Sequence, residues 1–142
     1  MSEGRANRSD ALHENYIRRW NLVGPPLRPS WEDLQIIQGE ITSWSHANGG
    51  SAARALVLGV TPELAALGWP AQSRVYSVDR SIEMIRSIWY TSAPHAKGAA
   101  AGDWAKLPVR DRSFDLILGD GSFAFWAWPR GTAVCSTRRC AR

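Results

Sequence analysis

The sequence predicts an α/β fold: a mostly parallel sheet of about four strands, incomplete, preceded by two N-terminal helices. Three observations carry this. Short apolar runs recur from Arg54 onward, in RALVLG (54–59), RVYSVD (74–79), KGAAAGDW (97–104) and SFDLILGDGSF (113–123). The segments between the first three are helix-like, and alternation of strand and helix implies parallel strands joined by right-handed crossovers. Ahead of them, residues 1–50 carry helical spacing and no strand pattern.

The elements follow in order. Residues 9–20 suit a helix, with Ser9 or Asp10 as cap and Leu12, Tyr16 and Trp20 recurring every four positions. The GPPLRP segment (24–29) interrupts regular structure, because proline fixes φ and removes a donor. Ser30 and Asp33 then form a capping-box pattern. Trp31, Leu34, Ile37, Ile41 and Trp44 follow along one face, and Asn48-Gly49-Gly50 ends the helix. The first strand spans 54–59. Thr61 is placed to cap the next helix, with Pro62 at its first position and Gly68 just past its end. The second strand, 74–79, ends in Asp79, and SIEMIRSIWY (81–90) is helical with Ile82, Ile85 and Trp89 on one side. A short third strand lies within 97–104, and the fourth runs from Phe114 to Leu118. The chain thus divides into a helical segment (1–50), a core (51–123) and a basic tail (124–142).

Composition narrows the function classes. The 142 residues suit one domain, and 44% hydrophobic residues suit a globular core. No apolar run approaches the roughly 20 residues needed to span a bilayer, and MSEGRANRSD lacks the apolar segment of a secretory signal. A cytoplasmic protein with no membrane partner is the expectation. Residues 1–123 carry 13 basic and 13 acidic side chains, whereas residues 124–142 carry four arginines and no acid. The net charge of +4 therefore belongs to the tail, and the neutral body argues against specific nucleic-acid binding. Cys135 and Cys140 have no second ligand pair, and His13, His46 and His95 lie far apart in sequence, so no metal site is expected.

In a parallel α/β sheet, ligands bind beyond the carboxyl ends of the strands. Those positions here hold Gly59, Val60 and Thr61; then Asp79; then Asp103 and Trp104; then Gly119, Asp120 and Gly121. Three of the four strand ends present a carboxylate. A single aspartate there is more often a cap or turn residue. Three in succession favour a binding site. Asp79 lies 20 positions after Gly59, the offset at which an acid accepts both hydroxyls of a ribose. Asp103 and Trp104 suit an adenine, and the Gly-Asp-Gly turn allows close backbone approach.

The order LVLGVTPEL, VYSVDRSIEMI and GDWAKLPVRDRSFDLILGDGSF resembles class I S-adenosylmethionine-dependent methyltransferases over about Arg54 to Phe123, roughly half the chain. The resemblance implies a Rossmann-like core in which Asp79 holds the cofactor ribose and Asp103, with Trp104, reaches adenine. Gly59 and Thr61 would meet the methionine moiety, and Asp120 would lie near the reacting methyl as an orienting group or base. The opening turn departs from the family pattern: Val57 stands where an acid is usual, and Thr61 and Glu63 replace glycines. The helix N-terminus after Thr61 is then expected to supply amides to the cofactor carboxylate. A nicotinamide cofactor is rejected, because GVTPEL supplies one of the three glycines that a pyrophosphate requires.

The family pattern stops near Phe123, which makes the chain look C-terminally truncated. AFWAWPRGTAVCSTRRCAR follows with different charge and no period. A sheet ending at the fourth strand is expected to leave an open edge suited to self-association. Methyl transfer to a small-molecule acceptor is therefore the leading expectation. A catalytically inactive fragment that binds cofactor or a partner chain is the alternative, and a truncated product that folds poorly is a further one.

Overall fold

A computed structural model describes residues 18–25, 28–89 and 93–119, together with the two-residue strand Cys135–Ser136. Five strands form one sheet: β1 (Arg54–Leu58), β2 (Arg74–Asp79), β3 (Ala96–Ala101), β4 (Leu116–Gly119) and β5 (Cys135–Ser136). Their order is β3-β2-β1-β4-β5. The first four are mutually parallel, and β5 runs antiparallel to β4. The α/β, mostly parallel arrangement is as the sequence predicts. Strand order reverses beside β1, between its neighbours β2 and β4, which puts the topological switch at Gly59.

β1 is central because it is apolar on both faces, as a doubly covered parallel strand must be. Ala55 and Val57 face one core with Val75, Leu116 and Leu118, while Leu56 and Leu58 face the other with Val78. The larger core is closed by helices. Helix α1 (Trp31–Ala47) contributes Ile37 and Ile41, and α2 (Pro62–Ala65) contributes Leu64 and Ala65. Helix α3 (Ile82–Met84) runs directly into a π-helical turn, Ile85–Trp89, which buries Ile85, Ile88 and Trp89. The smaller core is closed by the β3–β4 connection, through Trp104, Leu107, Val109 and Phe114. Phe114 meets Tyr76 edge-on, ring centroids 5.8 Å apart.

The capping box at α1 forms as predicted. Asp33 N–H donates to Ser30 Oγ (3.1 Å), and Ser30 N–H donates to Asp33 Oδ2 (2.9 Å). The Ser30 backbone N–H, and then its hydroxyl, hold the Asp33 carboxyl below the usual range. A depressed carboxyl stabilises the fold above its unfolded pKa of about 3.9. That contribution is lost as pH falls through the lower folded value. Ser30→Ala should therefore cost about 1 kcal/mol in urea unfolding at pH 7. It should also flatten the dependence of stability on pH in the acid range.

Several expectations need correction. Trp31 is 69% exposed, so the buried face of α1 begins only at Leu34. Periodicity identifies the face of a helix and not where along it contact with the sheet begins. The helix expected over 81–90 is three α-helical residues followed by the π turn, since Ile85, Ile88 and Trp89 satisfy either pitch. Thr61 makes no side-chain cap, and α2 is only four residues long. The expected end of the sheet at β4 is also revised: Leu116 pairs with Ser136 and Ile117 with Cys135. Backbone pairing needs no side-chain period, so the tail's sequence gave no sign of it. The first expected helix falls mostly outside the described residues. Trp20 lies in a 3-10 turn, Trp20–Leu22.

Candidate functional site

The site is built at the carboxyl ends of β1, β2 and β3. Gly59 closes β1 with φ +103°, a left-handed value that a residue with a side chain adopts only under strain. Its N–H donates to Val78 O (2.8 Å), and its carbonyl accepts from the buried Ser77 hydroxyl (2.8 Å). The turn is thereby fixed to β2 from both sides. A Cβ at Gly59 would lie 3.6 Å from Trp104 Cζ2 and 3.9 Å from Asp79 Oδ2. Two residues predicted from separate strand ends, Asp79 and Trp104, thus converge over one glycine.

Asp79 is the last residue of β2. Its Oδ1 accepts from Ser81 N–H (2.8 Å), and its carbonyl accepts from Gly102 N–H (2.9 Å). The first bond turns the chain into α3, whose Ser81 cap accepts from Met84 N–H. The second ties the end of β3 to the end of β2. Gly102 is required there, because a Cβ would lie 2.8 Å from the Pro108 ring.

Asp103 follows directly and is exposed. Its Oδ1 accepts from Ala105 N–H (2.9 Å), and its Oδ2 pairs with Arg80 (2.8 Å). The Ala105 amide first, and Arg80 second, hold the Asp103 carboxyl below the usual range. It is ionised at neutral pH and already engaged. Trp104 is half-buried, and its indole Nε1–H donates to Val78 O (2.8 Å).

Thr61 is buried in the turn after Gly59. Glu63, in the first turn of α2, forms an ion pair with Arg28. Arg28 also donates to Trp20 O (3.0 Å) and lies 5.0 Å from the centroid of the Trp20 ring. The charge that would repel an anionic ligand is thus balanced by the segment preceding α1. A four-residue helix also offers less than the amide array expected from the sequence.

Asp120, the predicted catalytic group, lies outside the described residues. Sequence reasoning missed Ser77, Arg28 and Arg80. Ser77 carried a signal, as a small polar residue set between Tyr76 and Val78 within β2. Arg28 and Arg80 carried none, because their partners depend on tertiary placement. Among the described residues, no group of three or more His, Cys, Asp or Glu side chains is arranged to hold a metal ion. Nor is any described helix long and apolar enough to cross a membrane. In comparisons with family models, curated proteins and solved structures, the chain finds no match.

Proposed function

We propose that this chain binds S-adenosylmethionine at the ends of β1–β3 and serves methyl transfer to a small-molecule acceptor. The observation that carries the reading is the convergence of Gly59 and Asp79: a carboxylate oxygen lies 3.9 Å from where a Cβ on the glycine would sit. That pairing suits a ribose, whose two hydroxyls donate to one carboxylate while its ring meets bare backbone. Asp79 keeps its orientation through Ser81 N–H. Asp103, two residues past β3 and paired with Arg80, is the group assigned to adenine in this reading. Thr61 lines the turn that faces the methionine moiety.

The cofactor, when bound, supplies a sulfonium methyl for in-line displacement. Such a reaction needs positioning and exclusion of water more than acid–base chemistry. The chain's own part is to orient the nucleoside through Asp79 and Asp103 and to present the switch-point turn to the remainder of the ligand. The neutral charge balance of residues 1–123 supports a small acceptor over nucleic acid.

Calorimetric titration of the purified chain with S-adenosylmethionine tests the reading. Saturable binding with one site per chain is expected. A chain that melts cooperatively and takes up no cofactor would overturn it.

A further inference from the structure

Trp104 lies where the proposed ligand would go. Its Cζ2 and Cη2 atoms are 3.6 and 4.0 Å from the position of a Cβ on Gly59, on the side to which Asp79 Oδ2 also points. The six-membered ring therefore fills the space over the glycine that a ribose needs in order to reach both the carboxylate and the backbone. We propose that Trp104 is a gate: its indole occupies the nucleoside site in the free protein and must swing out for ligand to enter. This rests on the nucleoside reading of the Gly59–Asp79 site.

The geometry confines the cost of departure to the ring's packing on the smaller core. Beyond its packing on the cluster of Leu56, Leu58 and Val78, the ring is held by a hydrogen bond from Nε1 to Val78 O, and that carbonyl also accepts from Gly59 N–H. When the indole leaves, the carbonyl keeps a partner, so no buried polar group is orphaned. Trp104 is carried on a small turn closed by Lys106 N–H donating to Asp103 O (3.0 Å). Asp103, Ala105 and Lys106 are all exposed. The turn is also tied by the Arg80–Asp103 pair, with side chains 74% and 48% exposed. Exposed pairs of this kind hold weakly. Reorienting the turn disturbs none of the strand pairing. The gate sets specificity as well, because only a ligand that meets both Gly59 and Asp79 recovers what the ring gives up.

The test is calorimetric titration of wild type, Trp104→Ala and Trp104→Phe with S-adenosylmethionine, each variant first checked for a cooperative melt. Removing the gate should tighten binding about tenfold for Trp104→Ala, the share withheld by one hydrogen bond and partial ring burial. Trp104→Phe keeps a ring and loses the N–H, and should tighten it about threefold. It decides the matter if the alanine variant does not fold. In 5-fluorotryptophan-labelled wild type, the resonance absent from Trp104→Phe should move on saturation. Weaker binding by the variants would make Trp104 a wall that the nucleoside stacks on; this overturns the gate and leaves the site standing. Unchanged affinity would overturn the gate in the same way. No binding by any of the three folded proteins would remove the site and the gate together.

Discussion

Asp79→Ala should weaken S-adenosylmethionine binding by about a hundredfold or more. The proposed role has one carboxylate accepting from two ribose hydroxyls, and hydrogen bonds to a charged group contribute about 1.5–3 kcal/mol each. Two of them amount to roughly 3 kcal/mol or more, and about 1.4 kcal/mol corresponds to each factor of ten in affinity. The alanine variant also loses the bond from Ser81 N–H to Oδ1 that turns the chain into α3. Asp79→Asn separates the two effects, because its amide oxygen still accepts from Ser81 while the charge is gone. Asn should melt close to wild type and yet bind at least tenfold more weakly. Equal affinity in wild type and both variants, measured by calorimetry, would show that the ligand does not use the end of β2.

Trp89→Ala should be the most destabilising single change among those considered. Trp89 is fully buried in the larger core, and its Nε1–H donates to Lys97 O at 2.7 Å. Truncating a buried aromatic costs about 3–5 kcal/mol through lost burial and the cavity left behind. Here the edge strand β3 also loses the bond that ties it to the π turn. Whole domains are stable by only about 5–15 kcal/mol. Urea unfolding followed by circular dichroism should therefore show a midpoint far below that of wild type. Trp89→Phe should recover most of the burial and still lack the bond to Lys97. A midpoint shift equivalent to less than about 1 kcal/mol in the alanine variant would mean that the core is not packed around this ring.

Much of the frame was legible because local chemistry decided it. The β2 boundaries, 74–79, match the prediction, since an apolar run bounded by Ser73 and Asp79 leaves little choice. The Ser30–Asp33 box was legible because both partners lie within one helical turn. The convergence of Gly59, Asp79 and Trp104 followed from topology, given that parallel strands bring their carboxyl ends to one side. Features set by long-range packing were not legible. The ring of Trp104 was expected to border an adenine, and its seat on Gly59 depends on the path of the whole β3–β4 connection. The pairing of Arg28 with Glu63 joins positions far apart in sequence, and no spacing rule links them. Thr61 stands at the start of α2 without a side-chain cap bond, and the turn that leads from this helix to Trp69 is tied to α1. There, Gln38 of α1 bonds both the N–H and the carbonyl of Gly68.

The central place of β1 has a consequence during synthesis on the ribosome. One edge of β1 is satisfied early by β2, with Arg54 opposite Arg74. The other edge waits for β4, whose approach is marked by Arg54 N–H donating to Asp115, 61 residues later. At about 5–20 residues per second, that delay is roughly 3–12 s. Throughout it, the nascent chain presents one unpaired backbone edge of a strand that is apolar from Ala55 to Leu58. Holdase chaperones should therefore meet this polypeptide at the stage when β1 and β2 have emerged and β4 has not.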